Sequence, residues 1–347
     1  MWRPSAMTIP TNSRVMRTCQ SNRPVYPFFV LISLAVFLIG IPAVQGRVFR
    51  MAFICSGSIT DGGWNQDGRD AAVKVAKALH AKLSVLEHVT PIRATSIMRD
   101  FCRRHYGLII GHGYEFLIPA TQVARMTTHT RFAISGADKV EPGVTTMNFD
   151  LTQPSYELGA LAAMISRTGK IGFIGGEAIP SVEACYKGFK AGARAVNPKI
   201  RVAQAYTSWD QVGLSKTQAQ AFIQQGVDVI YQNVDAASQG VFEAVKSADR
   251  RHPGHPVYVF GCNGNQNNNP TCSRYTLASA VIRLDRAFMH VAILAKAGKL
   301  KAGVINETMA NHVCIVVLNP KLLGRVITPA MEHRLAVIRK HLLAAKS

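Results

Sequence analysis

Residues 155–176, SYELGALAAMISRTGKIGFIGG, set a helix rich in small side chains directly before a short apolar strand that runs out on paired glycines. In mid-chain this segment restarts a pattern already running from Arg47. Strand candidates before it fall at Val48–Cys55, Leu83–His88, Leu108–Ile110, Arg131–Ile134 and Thr145–Asn148. After it they fall at Ile171–Ile174, Val202–Tyr206, Val227–Tyr231, Val257–Phe260 and Ala278–Ile282. Most are separated by stretches with apolar side chains at helical spacing, such as Ala71, Val75, Ala78 and Leu79. Regular βα alternation predicts parallel sheets covered by helices on both faces, so the chain reads as α/β with two doubly wound, Rossmann-like lobes. Open parallel sheets bind ligands beyond the carboxyl ends of their strands, and two facing lobes enclose a cleft at that edge.

The outer features agree with two domains. A chain of 347 residues suits two units of about 150 residues, and 48% hydrophobic residues exclude disorder throughout. One long apolar stretch, Phe28–Ile41, excludes a polytopic membrane protein. It follows Arg14, Arg17 and Arg23 and precedes Pro42, Ala43, Val44, Gln45 and Gly46, the pattern of a secretory leader cleaved after Gly46. An uncleaved anchor is the other reading, although the run is shorter than the roughly 18 residues a span needs. Without the leader the formal charge falls from +20 to +16, with 36 Lys and Arg against 20 Asp and Glu. These basic residues are scattered, and no helix-turn-helix, zinc-finger or RNP pattern accompanies them, so no nucleic-acid partner is expected.

Six cysteines follow the leader: Cys55, Cys102, Cys185, Cys262, Cys272 and Cys314. In an exported chain, Cys262 and Cys272 are the candidate disulfide, flanking the turn-rich NGNQNNNPT; the other reading is six reduced, buried thiols. There is no CxxC and no metal-ligand spacing, so neither metal nor cofactor is expected.

Residues just past the strand ends supply the site candidates. The first strand is followed by SGSITDGGWN (56–65) and the third by GHGY (111–114). Second-lobe strands are followed by TSWD (207–210), QNVD (232–235) and GCNGNQ (261–266). Aromatic faces combined with amides and acids suit a planar, heteroatom-rich ligand, which makes Asp61, Trp64, Asn65, His112, Tyr114, Trp209, Asn233, Asp235 and Asn263 the candidate ligand-binding residues. Each also has a plainer reading, because loops are rich in Gly, Asn and Asp, and a turn Trp is often a packing anchor. No HExxH, Walker A, GxSxG or complete GxGxxG pattern is present. His112 is the best lone acid–base candidate, and a hydrogen-bonding residue lining the cleft is its simpler role.

Five segments carry a family resemblance: GSITDGGWNQDGRDA (57–71), TTMNFDLTQPSYELGALAAMISRTGKIGFIGGEAIPSVEACYKGFKAGARAVNPKIRV (145–202), QAYTSWD (204–210), GVDVIYQNVDAASQGVFEA (226–244) and VFGCNGNQ (259–266). In order and spacing they resemble the basic membrane protein family, the solute-binding components of ABC transporters that include the purine nucleoside receptors called PnrA. The resemblance covers essentially residues 48–320. It implies a type I periplasmic-binding-protein fold, with the chain crossing between lobes near Asp150–Pro154, Ile282–Arg286 and Asn306–Cys314. The N-terminal lobe is then 47–150 plus about 284–308, and the C-terminal lobe 151–283 plus about 309–347.

Carried over by position, Trp64 matches the family's ring-stacking aromatic, usually Phe, and Asn65 the amide after it. Trp209 matches the second-lobe aromatic, and Asp235 stands where the family has a Gly-rich turn touching the ligand. Two charges depart from the pattern: the family acid that grips ribose hydroxyls is Asn263 here, and its Lys in TSVVK is Ile282. The implied protein is an exported receptor, not an enzyme. It would bind a purine nucleoside, nucleobase or similar flat heterocycle as a monomer and pass it to an inner-membrane ABC permease. Competing readings are a secreted α/β enzyme using His112 on a nucleoside-like substrate, and a membrane-tethered ligand-sensing domain.

Overall fold

The computed structural model describes residues 48–251 and 254–344; the expected leader lies outside them. In chain order the first series is β1 (Arg50–Cys55), α1 (Trp64–Ala78), β2 (Lys82–Leu86), α2 (Pro91–Arg103), β3 (Leu108–His112), α3 (Leu117–Ala124), β4 (Arg131–Ser135) and β5 (Val144–Phe149). The second is α4 (Thr152–Ile165), β6 (Lys170–Gly175), α5 (Pro180–Val196), β7 (Arg201–Tyr206), α6 (Val212–Gln224), β8 (Val229–Asn233), α7 (Ser238–Arg251), β9 (Tyr258–Asn263) and β10 (Thr276–Ile282). Last come α8 (Leu284–Lys296), β11 (Gly303–Glu307), β12 (Cys314–Leu318) and α9 (Pro329–Ala344).

Two six-stranded sheets result, ordered β11-β5-β4-β3-β1-β2 and β12-β10-β9-β8-β6-β7. Every pairing is parallel except β10 with the edge strand β12. Central strands such as β1, β3 and β8 are buried almost throughout, as strands covered on both faces must be. Edge strands β11 and β12 had no counterpart among the expected strands. Both are largely half-buried, and their pairing with β5 and β10 depends on partners far away in sequence.

The chain leaves the first sheet after Phe149, returns to it through α8 after Ile282, and leaves again between Glu307 and Cys314. Backbone bonds lash these crossings together: Asp150 N–H to Glu307 O at 2.9 Å, and Arg283 N–H to Val313 O at 2.7 Å. The helix that restarts the pattern, α4, packs on α5 backbone to backbone. A Cβ on Gly159 would overlap the Phe189 carbonyl oxygen, and one on Gly192 that of Tyr156. Small residues in the 155–176 stretch therefore set the closeness of this helix pair. The C-terminal helix α9 lies against α4, where Arg339 grips the fully buried Glu157 with Nε–Oε2 at 3.0 Å and Gln153 Nε2 donates to Leu342 O at 2.8 Å.

Of the two readings of the cysteines, the Cys262–Cys272 disulfide is not formed. Cys262 turns inward to meet the Tyr231 hydroxyl at 3.2 Å, whereas Cys272 belongs to a separate core cluster around Val241 and Phe242. All six cysteines among the described residues are free and buried.

Candidate functional site

The loop before α1 is organised by one carboxylate. Asp61 Oδ1 accepts from the Gly63 and Gln66 amides at 2.9 and 3.0 Å; Oδ2 accepts from the Asn65 amide and Asn65 Nδ2 at 3.2 and 2.8 Å. Its charge sits on the positive end of a 15-residue helix, where an anion is stabilised. Asn65 completes the loop, its Oδ1 facing the Gly57 amide at 3.4 Å. Asp61 and Asn65, expected to meet a ligand, spend these groups on their own loop.

Trp64, the first residue of α1, rests its indole on the His112 ring with centroids 4.0 Å apart and planes 16° from parallel; the Phe149 ring meets it edge-on at 6.0 Å. His112 is fully buried at the end of β3. Its Nε2 lies 2.8 Å from Trp64 O, which can only accept, so Nε2 carries the proton and Nδ1 accepts from Ser135 Oγ at 2.6 Å. Burial pushes its pKa down to about 4, against the opposing pull of the Trp64 carbonyl and the Asp61 charge. A neutral ring with both nitrogens engaged is a pedestal for Trp64, and neither His112 nitrogen is left free to act as a base.

The second-lobe candidates divide. Trp209 lies on the backbone of Gly176, where a Cβ would strike the indole ring, and Trp209 O accepts from the Ala237 amide at 3.0 Å. Asn233 is buried, with Nδ2 3.5 Å from Cys185 Sγ, and so points into the core. Tyr114 is 60% exposed at the start of a short 3-10 turn and is not drawn into the seam described next. Asp235 and Asn263 lie close enough for the Asn263 side chain to favour the charged form of the Asp235 carboxyl slightly, against burial. Asn263 adopts φ +64°, a left-handed conformation that Asn tolerates better than most side chains.

Between the lobes, Asp235 Oδ1 accepts from the Trp64 amide at 3.3 Å, and Gln266 Nε2 donates to Gly62 O at 3.4 Å. Beside this seam is a cavity of about 260 Å3 lined by Gly62, Gln66 and Asp67 from one lobe and by Gly264, Asn265, Gln266, Asn268 and Asn269 from the other. Neither Trp64 nor Trp209 is part of that lining. Burial, then the Asp61 and Asp70 charges, push Asp67 up to about 7; burial and the Asp61 charge push Asp235 up to about 7. Near neutrality each carboxyl can therefore accept a hydrogen bond or donate one.

Asp67 and Gln266 were not among the expected site residues. Asp67 lies one helical turn past Gly63, inside a segment that reads as ordinary amphipathic helix, and only the opposing lobe makes it part of a cavity. Among the described residues, no group of three or more His, Cys, Asp or Glu side chains is placed to hold a metal ion, and no helix is long and apolar enough to cross a membrane.

Residues 48–322 match the family model described as ABC transporter substrate-binding protein PnrA-like. A CD4+ T-cell-stimulating antigen from Listeria monocytogenes is 27% identical over 276 residues, 75% of this chain and 77% of that protein. A purine-binding protein from Brucella abortus is 28% identical over 60% of this chain and 61% of its own length. An ABC transporter nucleoside-binding protein from Lactococcus lactis is likewise 28% identical, over 58% and 60% of the two chains. Among solved structures, an ABC transporter solute-binding protein from Aeropyrum pernix superposes with TM-score 0.75 at 19% identity, covering 85% of this chain and 91% of that one. The structural likeness fixes the architecture as two Rossmann-like lobes with a hinge and an interlobe cleft. Substrate-binding components of ABC importers capture small molecules outside the cytoplasm and have a membrane permease as partner. Matched across most of its length, the chain belongs to the PnrA-like (Bmp) family of ABC transporter substrate-binding proteins.

Proposed function

We propose that the protein is an exported receptor that closes its two lobes on a purine nucleobase, a purine nucleoside or a similar flat heterocycle and delivers it, as a monomer, to an inner-membrane ABC permease. Residues 1–46 act as the leader, or as an anchor if they are kept. The N-terminal lobe comprises 47–150 with about 284–308, and the C-terminal lobe the remainder from 151.

The observation that carries this reading is the seam itself, where Asp67, Asp235 and Gln266 converge from two lobes beside a cavity walled by amides. Heterocycle edges alternate donors and acceptors, and carboxyls poised near neutrality together with amides can match either. Trp64 and Trp209, at the carboxyl edges of the two sheets, are the proposed stacking faces. Relatives named for purine and nucleoside binding point to the same class.

A thermal-shift screen with adenine, guanine, hypoxanthine and their nucleosides tests this, because a ligand that binds only the folded state raises Tm. At least one should raise it by several degrees at 1 mM or below, about 100 times a Kd near 10 μM giving about 2.7 kcal/mol. Trp209→Ala should remove the shift. No stabilisation by any of the six compounds would overturn the ligand class while leaving the family intact.

A further inference from the structure

Across the seam each lobe sets one acid against one glycine of the other. Asp235, in the loop after β8, lies on Gly63, where a Cβ would stand 3.0 Å from Asp235 Cα and 3.2 Å from its Oδ1. Asp67, in the first turn of α1, lies on Gly264 in the loop after β9, where a Cβ would strike Asp67 Oδ2. A glycine on each side lets the carboxyl lie this near the facing backbone. Asp235 Oδ1 also accepts from the Trp64 amide at 3.3 Å, so it shares the N-terminus of α1 with Asp61, which takes the Gly63, Asn65 and Gln66 amides. One helix end therefore holds a carboxyl from each lobe.

No cation answers these acids. Among the described residues, no Lys, Arg or His makes an ion pair with Asp61, Asp67 or Asp235. The facing loop 261–269 has no charged residue, and neither has the stretch 236–242 that opens α7. On α1 itself, Arg69 is paired with Asp70 at 3.0 Å. His112 spends both nitrogens on Ser135 and the Trp64 carbonyl. With the lobes apart, Asp67 and Asp235 stand in water, which solvates the charged form; with the lobes together, both lie beside Asp61 with less water around them. We propose that Asp67 and Asp235 make lobe closure proton-linked: the closed form takes up protons that the open form leaves in solution, so the receptor closes more readily as the pH falls. The inference rests on the receptor reading only in taking the lobes to open and close; which ligand binds does not enter.

The sign follows from the two environments. In water a carboxyl titrates at about 4. In the closed seam, burial and then the Asp61 and Asp70 charges push Asp67 up to about 7. Burial, with the Asp61 and Asp67 charges, pushes Asp235 up to about 7, outweighing the Trp64 amide and Asn263. Between those two values each carboxyl binds a proton on closure, so falling pH favours the closed form; above about 7 neither form holds the proton and the dependence flattens. A protonated carboxyl still has an oxygen for the Trp64 amide, so closure at low pH keeps that bond. Working outside the cytoplasm, a receptor of this kind meets the pH of its surroundings, and capture follows it.

The test needs no ligand. Small-angle scattering of the ligand-free protein from pH 5 to pH 9 reads how far the lobes stand apart. The radius of gyration should shrink as the pH falls through about 7, the closed-to-open ratio rising by up to about tenfold per carboxyl for each pH unit. Asp67→Asn and Asp235→Asn, which mimic the neutral acids, should each halve the steepness of that response. The double variant should stay closed at every pH, whereas Asp210→Asn, at an exposed carboxyl outside the seam, should respond as the wild type does. A merely structural role would lower Tm in the seam variants without changing how the radius depends on pH. The proposal is overturned if the wild-type radius is constant over this range, or if the double variant tracks the wild type. Should the double variant fail to fold, the single variants decide by the same criterion. A ligand screen that finds nothing leaves this result interpretable, and a flat pH response leaves the ligand class standing.

Discussion

The two lobes place a tryptophan at the carboxyl edge of the same kind of parallel sheet, but they seat it differently. In the N-terminal lobe, Trp64 stacks on the His112 ring, and that ring is itself locked between the Trp64 carbonyl and Ser135. In the C-terminal lobe, Trp209 lies on bare backbone at Gly176. One platform is a side-chain stack built from α1 and β3; the other needs only a missing Cβ at the end of β6. Helix ends also use two solutions. In both lobes helices stop in paired 6→1 and 5→2 backbone bonds, with a left-handed histidine after α1 (His80) and α2 (His105) and a left-handed glycine after α8 (Gly298) of the same lobe and after α6 (Gly226) of the other. At these ends a histidine does what glycine does elsewhere, so matched substitutions should give opposite results.

The largest effect is expected where the C-terminal lobe relies on a side chain. Arg339→Ala leaves the Glu157 carboxyl buried without its partner beneath α9 and should cost about 3 kcal/mol in urea unfolding at pH 8. A loss below about 0.5 kcal/mol would mean that water reaches Glu157 once the guanidinium is gone.

Next come the two platforms. His112→Phe keeps a ring beneath Trp64 but strands the Ser135 hydroxyl and the Trp64 carbonyl contact, at a cost of about 2 kcal/mol. In a Trp209→Phe background the remaining emission should change. Gly176→Ala puts a methyl where the Trp209 indole lies, costing about 1–3 kcal/mol and altering emission in a Trp64→Phe background. Unchanged spectra in both would erase the distinction between the platforms.

The smallest effects test the helix ends. His80→Gly and His105→Gly should each stabilise the protein by about 1 kcal/mol, because glycine adopts positive φ without a Cβ penalty. Gly226→Ala should lose a similar amount. Loss of stability in the histidine variants would show that those rings contribute contacts outweighing their backbone strain.

Most of the architecture was legible in the order of apolar runs. Ten strands read from β-rich segments have counterparts in the two sheets, since a strand buried on both faces must be apolar throughout. Strands β11 and β12 escaped because short, half-buried segments resemble loops until a distant strand pairs with them. The site was less legible. Strand-end position pointed to loops 56–65 and 261–266, which meet across the lobes beside the cavity, yet within them it could not separate a side chain that closes its own loop from one that faces the other lobe. Asp61 and Asp235 are both acids past a strand; one caps α1 with four hydrogen bonds and the other reaches across to Trp64.

By itself, the sequence determined the α/β class, the two-lobe repeat and the family, because hydrophobic periodicity and motif order are properties of the chain read in line. Only the tertiary structure decided what each polar side chain does. It made His112 a neutral pedestal, kept Cys262 and Cys272 apart, turned Asn233 into the core and brought Asp67 to a cavity. The physical reason is that hydrogen bonds and burial depend on partners brought together by folding. Asp235 and Trp64 are 171 residues apart, and no local pattern records that they meet.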